Sequence, residues 1–177
     1  TTLFRSLYHH VDSKEALLLA IMHYGMDLFE EMVLAKVADL PDPVERLRAC
    51  MARNIALVTH DPSKEVTIIL HEHQTLTGAA QREINTRKKR YVQFLEDAFK
   101  EAIARGQLRA VEPTIAAFSF LGSVLWTYKW YRPGGRLTRD AIVDAHEKLV
   151  LSGVMPELAP ASARSKRKAP RPAAAGA

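Results

Sequence analysis

The chain has 177 residues, of which 47% are hydrophobic and 25% are charged, as in an ordinary globular domain. Its single cysteine, Cys50, excludes a disulfide scaffold and a multi-cysteine zinc site. No stretch reaches the roughly 18 uninterrupted apolar residues that a membrane-spanning helix needs. Residues 1–10 also lack the apolar segment of a signal peptide. We therefore expect a soluble, cytoplasmic protein.

The net charge of +5 is concentrated at the C-terminal end of the chain. Residues 156–177 contain five basic side chains and one acidic one, so the rest of the chain is close to neutral. This segment is rich in proline and alanine and has no apolar periodicity, which predicts a disordered basic tail. A solvated tail is favoured over one that makes loose electrostatic contact with DNA.

The N-terminal half predicts two helices. Ser13 is a candidate N-cap for a first helix over 14–40, in which apolar residues recur at helical spacing. Pro41-Asp42-Pro43 ends this helix and starts the next, because proline suits a first helical turn and not a helix interior. The second helix extends to a break at His60-Asp61-Pro62.

The C-terminal half predicts further helices. A short apolar helix covers 66–76, and a long helix begins near Ala79 and ends at Gly106, where a glycine cap is typical. Thr114–Tyr131 is apolar around most of its circumference, which predicts burial on more than one side. A last helix covers 138–151. Since no run shows convincing strand alternation, the predicted fold class is all-α, a helical bundle.

Two stretches resemble a known family. Residues 7–18, LYHHVDSKEALL, are similar to the end of the DNA-binding head of TetR/AcrR-type transcriptional regulators. In that family a helix-turn-helix head precedes a linking helix and a helical domain that binds ligand and dimerises. Residues 130–138, WYRPGGRLT, resemble the turn between the last two helices in a subgroup similar to steroid-catabolism repressors, which respond to coenzyme A thioesters. The resemblance implies a repressor that releases DNA on binding an acyl-CoA.

The resemblance also implies a division of the chain. The string TTLFRS at 1–6 is what a common sequencing-adapter end encodes, so we expect a non-native leader there. Residues 7–12 are then a remnant of the helix-turn-helix head. Residues 13–155 form the linking helix and the ligand-binding and dimerisation domain, and 156–177 the tail. With so little of the head, this chain is expected to bind operator DNA weakly or not at all.

The family signature assigns contacts with the DNA backbone. The tyrosine, second histidine and lysine of the signature fall on Tyr8, His10 and Lys14. Phenol, imidazole and ammonium groups near helix ends are suitable phosphate donors, but such contacts carry no base information. Without the resemblance, His9 and His10 would be interpreted as surface residues that finish a helix.

The central helices are candidates for a ligand pocket. Bundles can enclose an apolar pocket with a few polar groups between their helices. The candidate pocket residues are Met51, Ile55, Ile69, His73, Phe94, Phe118, Leu121, Leu125 and Trp126. An ordinary core is the stronger alternative for each of them, because aromatic residues and methionine at helical spacing usually form core.

A basic cluster at 87–90 is a candidate mouth for an anionic ligand. Arg87, Lys88 and Arg90 would attract the phosphates of coenzyme A, although a solvated helix face is the usual role of such a run. A sensor of lipophilic cations is the main alternative. Such sensors commonly hold cations with acidic and aromatic groups, and Glu72 and Trp126 are groups of these kinds. A free-standing helical module that never touches DNA is a further alternative.

No cofactor, metal or catalytic motif is expected. In His71-Glu72-His73 the two histidines are two residues apart and point about 200° apart on a helix, so they cannot share a metal. No nucleophile elbow or phosphate-binding glycine motif occurs, and a buried structural role is favoured for Cys50. The protein is therefore not expected to be an enzyme.

The expected partner is a second copy of the chain. The resemblance implies a two-fold homodimer through helices 114–131 and 138–151. Two-fold symmetry sets the spacing of the two DNA-reading heads. A ligand that changes the angle of the linking helix would therefore dissociate the protein from operator DNA.

Overall fold

The computed structural model describes residues 13–59 and 75–151. All regular elements in these two ranges are helical, which confirms the predicted all-α bundle. The helices are α1 (Lys14–Phe29), α2 (Ala35–Val37), α3 (Pro43–Val58), α4 (Gly78–Ala104), α5 (Pro113–Leu125), α6 (Thr127–Trp130) and α7 (Arg139–His146), with π-helical segments at Glu30–Leu34 and Glu147–Leu151. Within the described ranges, no helix combines the length and apolarity that crossing a membrane requires. The predicted leader, head remnant and tail lie outside these ranges, and the predicted domain division stays a prediction.

One continuous helical rod over 14–37 consists of α1, the π-helical segment Glu30–Leu34 and α2. We call it the first rod. Ser13 caps it as predicted, since its Oγ accepts a hydrogen bond of 3.0 Å from the Ala16 amide. The backbone stays in the right-handed helical region through the π-helical segment and into α2. The rod ends at Val37 rather than at the predicted Leu40. The helical conformation is disfavoured for a residue that precedes a proline, and Leu40 precedes Pro41.

Helices α3 and α4 begin and end close to the predicted residues. Asp42 caps α3 by accepting from the Glu45 amide at 2.9 Å, and proline occupies the first turn. Helix α4 ends at Ala104, and Gly106 follows with a φ of +70°, as its predicted role as a cap requires. These local signals depend only on neighbouring residues.

The predicted helix over 66–76 is wrong at its end. Residues 66–74 lie outside the described ranges, but Thr75 and Leu76 are not helical. Leu76 is fully buried in a small cluster with Met22 and Met26 of α1 and Ile84 of α4. Its apolar character therefore serves core packing between α1 and α4.

The main core lies between α3, α4 and α5. Its fully buried members include Leu47, Met51 and Ile55 of α3, Leu95 of α4 and Phe120 of α5. Burying side chains of this size contributes about 1.5–3 kcal/mol each relative to leaving them exposed. This core holds the three helices together around the centre of the chain.

Helix α5 is shorter and less enclosed than predicted. It stops at Leu125, and α6 resumes at Thr127 after a turn at Trp126. One side of α5 is buried in the core through Ala117, Phe120 and Val124. The opposite side is apolar but exposed, so the predicted burial on more than one side is not present in a single chain.

A tight turn joins α6 to α7. The Gly135 amide donates to the Arg132 carbonyl at 3.0 Å, and Gly134 has a φ of +74°. A type II turn favours proline at its second position and a glycine with positive φ at its third, and these are Pro133 and Gly134 here. Thr138 then caps α7 at the predicted start of the last helix, since its Oγ1 accepts from the Ala141 amide at 3.2 Å.

Candidate functional site

The centre of the main core contains a buried polar group that the sequence analysis missed. Asn54 of α3 is fully buried beside two predicted pocket residues, Met51 and Ile55. Its Nδ2 donates to the Cys50 carbonyl and to the Tyr91 hydroxyl, both at 2.7 Å. Its Oδ1 is buried and has no hydrogen-bond donor among the described residues. An asparagine within the apolar stripe of α3 was the available signal.

The groups around Asn54 are neutral. Burial raises the pKa of the Cys50 thiol to about 12 and the pKa of Tyr91 well above its usual value. The Tyr91 ring contacts Phe29 edge-on at a centroid distance of 4.3 Å and stacks with Phe94 at 6.5 Å. The site is therefore an apolar, aromatic core with one amide at its centre, and its thiol is not a nucleophile.

The structure divides the predicted pocket residues into two sets. Five belong to the main core: Met51 and Ile55 as fully buried members, and Phe94, Leu121 and Leu125 as half-buried side chains that pack against them.

Two further predicted pocket residues are not in this core. Phe118 and Trp126 are 57% and 59% exposed on the outer side of α5 and at its end. Ile69 and His73 lie outside the described residues, and so does the His71-Glu72-His73 stretch.

The basic cluster of α4 is split by its surroundings. The Arg87 side chain is only 14% exposed, and it donates to Glu30 at 2.8 Å and to Asp27 at 2.6 Å. The hydrogen bonds to Glu30 and Asp27 raise the pKa of Arg87. Lys88 is half-buried, and burial lowers its pKa. Arg90 is exposed, so the three predicted mouth residues differ in burial and in pairing, and their role as a mouth stays a prediction.

Polar contacts join the first rod to α4 at three levels. The Glu15 carboxylate accepts from the backbone and hydroxyl of Thr77, at 3.3 and 3.2 Å. Farther along, His23 Nε2 lies 3.4 Å from the Glu83 carboxylate. The Arg87 contacts form the third level.

The predicted DNA-contacting residues are mostly outside the described ranges. Lys14 is exposed at the first turn of α1, which agrees with a surface role. Tyr8 and His10 precede the described residues, so the set of three stays a prediction.

An apolar stripe on the outside of α5 matches the predicted dimer surface. Ile115, Phe118 and Trp126 are separated by three and eight residues, which places them on one side of a helix. Ile115 is 66% exposed, and Leu149 beyond α7 is exposed as well. A contiguous exposed apolar surface of this kind marks an interaction site.

The chain is similar to a family of regulators along most of its length. A family model described as the tetracycline repressor-like C-terminal domain matches residues 40–154. The HTH-type transcriptional repressor KstR2 of Mycobacterium tuberculosis (strain H37Rv) is 27% identical over 158 residues, which are 86% of this chain and 76% of KstR2. KstR2 of Rhodococcus jostii (strain RHA1) is 29% identical over 84% of this chain and 74% of its own length.

Solved structures give the same relationship. The crystal structure of AibR in complex with isovaleryl coenzyme A and operator DNA is 60% identical, with a TM-score of 0.79 over 82% of this chain and 78% of AibR. The structure of KstR2 of Mycobacterium tuberculosis is 25% identical, with a TM-score of 0.75 over 86% and 78%. The curated relatives are repressors, which confirms the prediction that the protein is not an enzyme. The chain belongs to the TetR family of transcriptional regulators.

Proposed function

We propose that this chain is the regulatory part of a homodimeric transcriptional regulator, which binds an acyl-CoA thioester and thereby weakens its hold on operator DNA. The observation that supports the ligand class and DNA binding is the 60% identity, over 82% of the chain, with AibR, whose structure contains isovaleryl coenzyme A and operator DNA. The KstR2 relatives are named as repressors, which favours repression over activation. A repressor acts where its operator lies, so we place the protein in the cytoplasm.

The acyl group is proposed to lie against the main core. Met51 and Ile55 of α3 and the half-buried Phe94 of α4 offer an apolar wall. Asn54 adds one hydrogen-bond acceptor, because its Oδ1 has no donor among the described residues. Amide N–H groups of the pantetheine arm are donors of the matching chemistry. An apolar wall with one placed polar group is the usual composition of a small-molecule site.

The dimer is proposed to form through the exposed stripe of α5 together with α7. Ile115, Phe118 and Trp126 would be covered by the same residues of the partner, as a two-fold contact requires. Removing this apolar area from water stabilises a dimer by about 25 cal/mol for each Å² buried, before the cost of association. This arrangement would also bury the side of α5 that a single chain leaves exposed.

The signal is proposed to pass from the core to the first rod through α4. Helix α4 supplies Tyr91 and Phe94 to the core, and Arg87 of the same helix binds the rod at Asp27 and Glu30. A ligand that shifts α4 would therefore carry the rod with it. A change in rod angle alters the spacing of the two DNA-binding heads of a dimer, which is how ligand binding and DNA binding become coupled.

Thermal unfolding of the 177-residue chain with four compounds tests the ligand class. The compounds are isovaleryl-CoA, isovalerate, coenzyme A and the lipophilic cation tetraphenylphosphonium. A ligand at 100 times its Kd stabilises by about 2.7 kcal/mol, which raises the midpoint by a few degrees. A rise with the thioester alone supports the proposal. A rise with the cation alone would favour the multidrug alternative, and no rise with any of them would contradict acyl-CoA binding at this chain length.

A further inference from the structure

We propose that the turn between α6 and α7 binds the nucleotide end of the acyl-CoA, with Arg132 and Arg136 holding its phosphates and Trp130 its adenine ring. This inference rests on the proposed function. We call residues 129–139 the cationic turn. Coenzyme A carries a 5′-diphosphate and a 3′-phosphate, so its nucleotide end requires several cationic partners that the acyl pocket does not supply.

Half of the basic cluster of α4 is poorly placed to bind phosphates. Arg87 is engaged by Asp27 and Glu30, and its side chain is largely buried. Lys88 is half-buried, and burial lowers its pKa. A guanidinium that two carboxylates already neutralise offers little attraction to a phosphate. The other two cations of the cluster, Lys89 and Arg90, are exposed, so this cluster is the competing site for the phosphates.

The cationic turn has an excess of unneutralised charge. It contains Lys129, Arg132, Arg136 and Arg139 and no acidic residue. Arg139 donates to the Thr59 carbonyl at 3.1 Å and lies over the Tyr131 ring. The side chains of the other two arginines are exposed and form no ion pair with the described residues. Two guanidinium groups are thus available, and this group matches phosphate oxygens in pairs.

An exposed indole lies next to these cations in the chain. Trp130 is 44% exposed at the end of α6, directly before Tyr131 and Arg132. A nucleobase can stack on an exposed aromatic ring of this kind. Aromatic and guanidinium groups side by side are the combination that binds a nucleotide.

The backbone of the turn is pre-formed. Gly134 has a φ of +74°, and a Cβ added at Gly135 would lie 2.9 Å from the Arg132 carbonyl oxygen, so both positions require glycine. Thr138 caps the next helix, and the bond from Arg139 to Thr59 ties the turn to the end of α3. The two arginines are therefore carried by a fixed loop, which lowers the entropy lost when a ligand binds.

Two double variants that remove equal charge test the inference. R132Q/R136Q alters the cationic turn, and K89Q/R90Q alters exposed cations of the α4 cluster as the matched control. Each full-length protein is titrated calorimetrically with isovaleryl-CoA and with isovaleryl-pantetheine, which keeps the acyl group and arm but lacks the nucleotide. We expect R132Q/R136Q to weaken isovaleryl-CoA binding by about tenfold or more and to change the pantetheine ester by no more than about twofold. K89Q/R90Q is expected to bind both esters as the unaltered chain does.

The outcomes separate the inference from the proposed function. If the unaltered chain binds isovaleryl-CoA and R132Q/R136Q binds it equally well, the inference is overturned while the proposed function stands. Equal weakening of both esters, or weakening by the control alone, overturns it too. If the unaltered chain binds neither ester, the proposed function fails and the inference fails with it. Trp130→Ala adds an independent arm, because loss of stacking should weaken the nucleotide-containing ester only.

Discussion

Arg87 of α4 donates from Nε to the Glu30 carboxylate at 2.8 Å, where the first rod changes from α-helix to π-helix. The same guanidinium donates to Asp27 at 2.6 Å, and its Nη1 lies 3.3 Å from His23 Nδ1. One side chain of α4 therefore contacts three residues of the rod within about two helical turns. Among the described residues, Arg87 is the arginine that joins the rod to α4 by ion pairs.

Replacing Arg87 should weaken the attachment of the rod. Arg87→Met keeps most of the apolar stem but leaves two carboxylates without their partner. Both carboxylates are partly exposed, so we expect a loss of about 1 kcal/mol in the free energy of unfolding, measured in urea. Lys89→Met on the same helix is the control and should change stability by less than about 0.5 kcal/mol. Equal stability of the two variants would show that the Arg87 contacts do not hold the rod.

The cap of α3 should make stability depend on pH. Hydrogen bonds from the Glu45 amide and from Gln107 lower the pKa of Asp42 below its usual 3.8. A carboxyl with a lowered pKa in the folded state adds stability above the pKa of the unfolded state, and loses it as pH falls through the folded value. Asp42→Ala should therefore lower the midpoint of thermal unfolding by a few degrees at pH 7.

The acid side of the titration provides the check on Asp42. As pH falls below 3.8, the difference in midpoint between Asp42→Ala and the unaltered chain should shrink, because the carboxyl is protonated first in the unfolded state. Asp39→Ala, which removes an exposed acid outside the cap, serves as the comparison. A difference that stays constant from pH 7 to pH 3 would contradict a role for the charged carboxylate.

The Cys50 thiol should be inert in the folded protein. Its pKa of about 12 leaves about one thiolate in ten thousand at pH 8, and the side chain is fully buried. An aromatic disulfide reagent at pH 8 should therefore label the folded chain very slowly and the denatured chain completely. Rapid labelling without denaturant would place Cys50 at an accessible site and would contradict the buried polar centre.

The exposed stripe of α5 should determine the oligomeric state. Phe118→Glu places a charge on this stripe, so sedimentation should change from a dimer to a monomer while the helical content stays the same. Tyr24→Glu is a matched control, since Tyr24 is also an exposed aromatic residue but belongs to α1. A dimer that survives Phe118→Glu and dissociates with Tyr24→Glu would place the interface on the rod.

Local signals in the sequence were sufficient for the ends of most helices. Ser13 and Gly106 act as caps where predicted, because capping depends on residues within one helical turn, and α3 and α7 begin close to their predicted starts. That Leu76 is buried outside a helix was not predictable in this way, since a short apolar run fits a helix and a buried loop equally well.

Long-range contacts explain what the sequence could not predict about the site. Arg87 looked available within a basic run, but its carboxylate partners lie 57 and 60 residues earlier in the chain. Phe118 and Trp126 looked like core residues because apolarity alone does not distinguish a core from an interface with a second copy. Asn54 depends on Tyr91 of another helix, which periodicity does not reveal.

Isothermal titration of the 177-residue chain with isovaleryl-CoA tests the central claim most directly. We expect saturable binding of one thioester per protomer, with neither isovalerate nor coenzyme A reproducing its affinity. Because apolar surface is buried, the heat capacity of binding should be negative. A flat titration with the thioester, or equal binding of coenzyme A alone, would contradict an acyl-CoA sensor.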